Sequence, residues 1–253
     1  MDNILISGAA SGIGAATARL FHQRGWKVGL LDVNAEALAR LSAELGNAWF
    51  VALDVTDRAA VSEALADFCG KHQGQLRLLF NCAGVLRFGK FEEISLEEHQ
   101  RILNINVLGL LQMTHLAFGY LKATANAQVI NMGSASGLYG TPDMASYSAS
   151  KFAVRGLTEA LDLEWERHGI RVGDLMPPFV RTPMVSSQTF EPPALRRLGV
   201  NLAAEDIAEA VWQQSQGASV HRPISLQFSL LYWLGQITPA PLTRWMMALI
   251  NRA

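Results

Sequence analysis

Short apolar runs alternate with longer stretches in which apolar residues recur every three to four positions, along most of the chain. The short runs read as buried strands and the recurrence reads as amphipathic helix. Strands are therefore predicted at Asn3–Ser7, Lys27–Leu31, Ala48–Leu53, Leu76–Phe80, Gln128–Met132 and Ile170–Leu175. Helical stretches lie between them. Ile13, Ala16, Leu20 and Phe21 share one face, with the small Thr17 at the i+4 place. Glu36–Leu45, Ala59–His72, one long Leu96–Leu121 segment and the stretch from Tyr147 to His168 follow. Such alternation builds a parallel sheet covered by helices on both faces. The expectation is an α/β fold, a doubly wound parallel sheet of about seven strands in a single domain over residues 1–253.

The last quarter, 185–253, is less regular and reads as a substrate lid and an apolar tail. Residues 186–201 suggest a loop or short helical lid, and a helix is expected from Ala203 to about Gln214. Ile224, Leu226 and Phe228 alternate as in a final strand. Beyond them Leu230, Leu231, Trp233, Leu234, Leu242, Trp245, Met246, Leu249 and Ile250 are unusually apolar. Three readings fit that tail, in falling order: part of the core, a pocket wall or dimer contact, and a shallow membrane foot. Only Arg244 and Arg252 are basic there, which is poor material for an anionic bilayer.

The first strand runs into Ser7-Gly8-Ala9-Ala10-Ser11-Gly12-Ile13-Gly14, a glycine-rich turn that opens a helix. Glycines let the backbone approach a pyrophosphate, and a helix N-terminus offers it unpaired N–H groups. The second strand ends at Asp32, followed by Val33. Strand, glycine turn, helix, strand and terminal acid make a dinucleotide-binding βαβ unit, hence a Rossmann-like sheet. Asp32 can accept from both hydroxyls of an adenosine ribose and repels a 2′-phosphate. With no cation in the turn or just after Asp32 to offset that repulsion, NAD is expected over NADP.

A second chemical signal is Tyr147-Ser148-Ala149-Ser150-Lys151 on a helix, where residues i and i+4 are neighbours. An ammonium beside a phenol favours the phenolate, so Lys151 is expected to lower the pKa of Tyr147 from its usual ~10 toward neutrality. The pair alone is a weak signal and gains weight from its company. Asp32, Asp54, Asn81, Ser134 and Pro177 all fall at predicted carboxyl ends of strands. Ligands of open parallel sheets bind beyond those ends.

Composition narrows the rest. Half of the 253 residues are hydrophobic, 17% are charged and the net charge is −1, so a nucleic-acid partner is not expected. Cys69 and Cys82 form no metal-spaced pair, and the six histidines are scattered, so no metal is expected. The apolar Ile4–Ser7 run is too short for a signal peptide, and no run reaches the ~18 apolar residues of a spanning helix. A soluble cytoplasmic protein is the expectation.

With Gly8, Gly12, Gly14, then Asn81-Cys82-Ala83-Gly84, Asn106, Ser134, Tyr147 and Lys151 in order, the chain resembles the short-chain dehydrogenase/reductase family, in its NAD-preferring branch. The resemblance is close from Ile4 to about Met184. It implies that Tyr147 exchanges a proton with the substrate oxygen while Lys151 lowers its pKa and holds the nicotinamide ribose. Ser134, thirteen residues before Tyr147, is implied to hydrogen-bond the substrate oxygen, with Ser136 as a rival. Asn106 is implied to hold a water linking Lys151 to solvent, with Asn104 as a rival. The implied cofactor site comprises Gly8, Ser11, Gly12, Ile13 and Gly14; Asp32 and Val33 at the ribose; Asp54 and Val55 at the adenine; Asn81, Ala83 and Gly84; and Pro177, Val180 and Thr182 near the carboxamide. Three positions depart from the family's habit: Ser7 where threonine is usual, Cys82 where asparagine is, and Pro178 where glycine is. The resemblance implies an NAD(H)-dependent oxidoreductase of secondary alcohols or ketones. Its substrate is expected to be an apolar small molecule (steroid-, retinoid- or acyl-like), and its assembly a homodimer or homotetramer. A catalytically quiet NAD(H)-binding regulatory protein is the alternative.

Overall fold

The computed structural model describes residues 2–250, without the side chains of 226, 231, 235–237 and 240. The strands in chain order are β1 (Asn3–Ser7), β2 (Lys27–Asp32), β3 (Trp49–Ala52), β4 (Leu78–Asn81), β5 (Gln128–Met132), β6 (Arg171–Met176), β7 (Val180–Arg181), β8 (Leu202–Ala203) and β9 (His221–Pro223). Seven of them form one sheet in the order β3-β2-β1-β4-β5-β6-β9, every pair parallel. The short β7 and β8 pair separately. The expected α/β doubly wound sheet of about seven strands is thus observed, as a single domain.

The helices are α1 (Gly12–Gln23), α2 (Ala35–Glu44), α3 (Arg58–Gly70), α4 (Leu96–Leu103), α5 (Leu110–Lys122), α6 (Ala145–Trp165), α7 (Pro183–Ser186), α8 (Pro193–Leu198), α9 (Ala204–Gln216), α10 (Leu226–Ile237) and α11 (Ala240–Ile250). Local chemistry fixes several starts. Asn34, Asp57 and Ser95 each accept a backbone N–H from the first turn of α2, α3 and α4, which satisfies donors that a helix end leaves free. The core lies in two layers. One packs Phe21, Trp26, Leu38 and Val211 of the α1, α2 and α9 side against Ile4, Ile6, Leu30 and Leu175. The other packs Phe68, Met113 and Leu121 against Leu5, Leu79, Val129 and Val172. Alternate residues of each strand therefore serve opposite faces, as a sheet buried on both sides requires.

Two predicted elements differ. The long helix is interrupted between α4 and α5, where Asn104–Gly109 widens into a π-turn. Gly109 sits against Val55, where a Cβ would come within 2.6 Å of the valine methyl. Together Leu96–Lys122 is a 27-residue stretch, long and apolar enough by length and composition to cross a membrane; here Ile102, Met113, Ala117 and Leu121 are buried within the protein. The predicted final strand at Ile224, Leu226 and Phe228 is instead the start of α10, and the edge strand lies just before it at His221–Pro223. Ser225 at positive φ turns the chain and caps α10 through Phe228 N–H. The apolar alternation was short enough to fit either period.

The tail beyond it divides its surface. Tyr232 is buried, Phe228, Leu234, Met246 and Ile250 line a cleft, and Leu230, Trp233 and Trp245 are exposed. It is more pocket wall than core.

Candidate active site

The turn after β1 is shaped by contacts that only glycine permits. Gly8 has φ +70°, and a Cβ there would lie 2.8 Å from the Ala83 backbone. A Cβ on Gly14 would lie 2.0 Å from the Gly8 carbonyl oxygen. The turn is held to the end of β4 by Ser7, whose buried hydroxyl accepts the N–H groups of Cys82 and Ala83, each at 3.2 Å. That gives the hydroxyl at this departing position a structural task. At the start of α1, Ser11 is extended and its side chain makes no capping bond, and the first turn lines the cleft, where a helix start can receive an anion. Asp32 stands beside them. Its oxygens accept Ala10 N–H and Asn34 N–H, both at 3.0 Å. No described cation pairs with it.

Across the cleft, Ser134 follows β5, and Tyr147 and Lys151 project from the first turns of α6. Tyr147 and Ser134 share a side-chain hydrogen bond. The Lys151 ammonium donates to Met132 O at 2.7 Å and lies 5.4 Å from the centre of the Tyr147 ring. Ser136 is buried against the Met144 sulfur at 3.8 Å, so Ser134 is the serine that meets the phenol.

The electrostatics depart from the expectation. Burial pushes Tyr147 up to about 12, against the Ser134 hydrogen bond that pulls it down. Burial also pulls Lys151 down to about 8. Helical spacing made the two groups neighbours, but it carried no information about how dry the site is. Desolvation disfavours both charged forms. The Cys82 thiol is likewise pushed up to about 12 by burial, so it is packed and neutral rather than reactive.

These groups line one cleft of about 1020 Å³. It brings together Gly8, Ser11, Gly12, Ile13, Gly14, Asp32, Gly84, Ser134, Tyr147, Lys151, Pro177, Val180 and Thr182. Thr182 touches the turn directly, since a Cβ on Gly12 would come 3.3 Å from its methyl.

Other expected residues do not line the cleft. Val33 is exposed and Val55 is buried beneath Gly109. Asp54 accepts from the N–H and hydroxyl of Thr56, both at 2.8 Å, in a local turn. Ala83 lies under Gly8. Asn81 is buried and donates to Thr114 and Asn131, both at 2.9 Å; its side chain serves the sheet. Asn106 accepts Val85 N–H at 2.8 Å and donates to Val85 O at 3.0 Å and Ser150 Oγ at 3.1 Å. It ties the loop after β4 to α6 within the π-turn, while Asn104 is exposed.

Residues not singled out in the sequence complete the far end of the cleft. Leu86, Met144, Phe179 and Met184 form an apolar cluster around Tyr147, joined by Phe228 and Met246 from the tail. They come from six separate loops and helices, and no local spacing connects them.

An open parallel sheet with a glycine cradle at one strand end and a Ser–Tyr–Lys group facing it defines a nucleotide-assisted acid/base site. The chain belongs to the short chain dehydrogenase family, whose sequence profile matches residues 2–192, as its motifs implied. It is an oxidoreductase of that family. A 3-alpha-(or 20-beta)-hydroxysteroid dehydrogenase of Mycobacterium tuberculosis is 40% identical over 71% of this chain and 69% of its own. Among solved structures, a 3-ketoacyl-(acyl-carrier-protein) reductase of Brucella melitensis complexed with NADH matches with TM-score 0.79 and 28% identity, over 88% of this chain and 96% of that one. An actinorhodin polyketide ketoreductase with NADPH matches with TM-score 0.80 and 26% identity, over 88% and 95%.

Proposed function

We propose that this protein is an NAD(H)-dependent oxidoreductase that interconverts a secondary alcohol and a ketone on an apolar small molecule. Its relatives span hydroxysteroid and ketoacyl names and both nicotinamide cofactors, so the cofactor preference rests on one observation of this chain: Asp32. Its carboxylate lines the cleft beside the glycine cradle, accepts only backbone N–H groups there and forms no ion pair among the described residues. An anion there repels a ribose 2′-phosphate and accepts from a free 2′-hydroxyl.

The cradle fits such a cofactor, because Gly8 and Gly14 let the turn pack on backbone where a Cβ would clash, which sets Gly8, Ser11, Gly12, Ile13 and Gly14 along the cleft. The nicotinamide ring supplies the hydride chemistry when bound. Tyr147 is protonated at neutral pH, with its pKa pushed up to about 12, and a phenol in that form donates to a carbonyl oxygen. Ser134 holds the same oxygen. Oxidation runs the proton the other way, and the Lys151 ammonium then stabilises the phenolate. Leu86, Met144, Phe179 and Met184 exclude water from the reacting end, which supports an apolar substrate. Exposed Leu103, Leu108, Leu111 and Phe152 on the α4, α5 and α6 side support a homo-oligomer. Two free thiols suit a reducing cytoplasm.

The test is a tryptophan-quenching titration with NADH and NADPH on wild type and Asp32→Ala. Tighter NADH binding that loses its preference in the variant is expected. Equal or better NADPH binding by wild type overturns the cofactor reading. Absence of turnover with a broad alcohol and ketone panel, with NADH still bound, favours the regulatory alternative.

A further inference from the structure

β6 reads Arg-Val-Gly-Asp-Leu-Met, a buried strand with an acid in its middle. Asp174 is 0% exposed. A carboxylate taken wholly out of water needs a partner. Strand register supplies one by setting Asn81, Asn131, Asp174 and His221 side by side across β4, β5, β6 and β9. His221 Nδ1 lies 3.0 Å from Asp174 Oδ1, and its Nε2 lies 2.9 Å from Glu159 Oε1 on α6. Arg155 donates to the same Glu159 oxygen at 2.9 Å. From α10, the Tyr232 ring centre stands 6.4 Å from that of His221. The second carboxylate oxygen, Oδ2, is buried and has no hydrogen-bond partner.

Lys151, Arg155 and Glu159 follow one another at i, i+4 and i+8 on the α6 face that looks onto this row. The Lys151 acceptor, Met132 O, belongs to the residue before Gly133. Gly133 packs on the carboxylate, where a Cβ would come 3.5 Å from Asp174 Cγ. Lys151 has no salt-bridge partner among the described residues. Two groups lie close enough to raise its basicity through charge, Cys82 and Asp174. The Cys82 thiol, held near 12 by burial, is neutral in the working pH range. That leaves Asp174.

We propose that Asp174 is a positioning residue for Lys151: its buried carboxylate, fixed by His221, is the counter-charge that keeps the ammonium at the strand-end carbonyl, and Glu159 links His221 to the surface. The role rests on the reading of Lys151 as a cofactor-holding group. Asp174 touches neither substrate nor cofactor, and its effect is on the pH range in which Lys151 stays charged. Burial raises the Asp174 pKa and the His221 hydrogen bond and charge lower it, so the pair titrates as a unit.

Two measurements test this. The first is NADH affinity by tryptophan quenching from pH 6 to 10. Wild-type binding is expected to weaken along a limb centred near the Lys151 value of about 8. In Asp174→Asn, at equal fold by circular dichroism, the limb should move down by about one pH unit, the scale of one charge acting through protein. The second needs no cofactor. Charges act on each other reciprocally, so the His221 imidazole titration, read by NMR, should rise in Lys151→Met, because the Asp174–His221 unit loses a nearby cation and then holds its proton more tightly. An unmoved limb in folded Asp174→Asn overturns the proposal. If that variant does not fold, an unmoved His221 titration in Lys151→Met overturns it. Wild type that binds no NADH at any pH defeats the cofactor reading instead, and the His221 titration then decides the coupling alone.

Discussion

Replacing Ser7 by alanine removes one oxygen, and the structure says how much depends on it. The Ser7 hydroxyl is 2% exposed and accepts two backbone N–H groups, from Cys82 and Ala83. Leaving a buried donor unsatisfied costs about 1–3 kcal/mol. Both bonds are long at 3.2 Å and both donors belong to half-buried residues, so the lower part of that range applies. The sum is about 2–3 kcal/mol, a large share of the ~5–15 kcal/mol that holds a domain folded. For a chain of this size it lowers Tm by about 5–10 °C. Urea unfolding measures the loss directly, with the m value expected to stay constant because the exposed surface is unchanged. Ser7→Thr keeps the acceptor and should lose less than half as much. Cofactor affinity should fall together with stability in Ser7→Ala, since Gly8 packs on the displaced Ala83 backbone. A stability within about 0.5 kcal/mol of wild type, at unchanged m, would refute the account that this hydroxyl fastens the two strand ends.

Tyr147→Phe should keep NADH affinity within a few fold and lose turnover by about a hundredfold or more, read by single-turnover absorbance; retained turnover would remove Tyr147 from the proton transfer. Alkaline stability follows from the two thiols. Cys69 and Cys82 are held near 12 when folded against about 8.5 when unfolded. Their contribution is therefore whole below the unfolded value and is lost as pH rises toward the folded one. Tyr147, also near 12 when folded, adds the same sign above pH ~10. Lys151, near 8 when folded, acts oppositely between pH 8 and ~10.4. Two thiols against one lysine, joined by Tyr147 above pH ~10, predict a Tm that declines above about pH 9, and a shallower decline in Cys69→Ala; a Tm that rises through this range contradicts it.

The features written in the sequence are the local ones. A period of 3.6 or a short apolar run needs only its own neighbours, so six strands and the parallel sheet were readable along the chain. The glycine turn and the Tyr147–Lys151 pair were readable for the same reason, because each lies within one turn or one helix. Strand ends share an address in any parallel sheet, so Asp32, Ser134 and Pro177 could be gathered into one site before any contact was seen. What tertiary structure decided lies across longer separations. Asn81 was expected at the cofactor and Asn106 at a water beside Lys151; which partners their side chains hold, 50 and 44 residues away, only the packed structure decides. The tail's short alternation fitted two periods, and a capped turn at Ser225 chose the helix. The site's acidities followed burial, which no spacing encodes. Asp174 and His221 lie 47 residues apart and meet only because β9 pairs with β6. Sequence fixes what a residue can do with the next turn of chain; the packed sheet decides which distant partner it has and how much water reaches it.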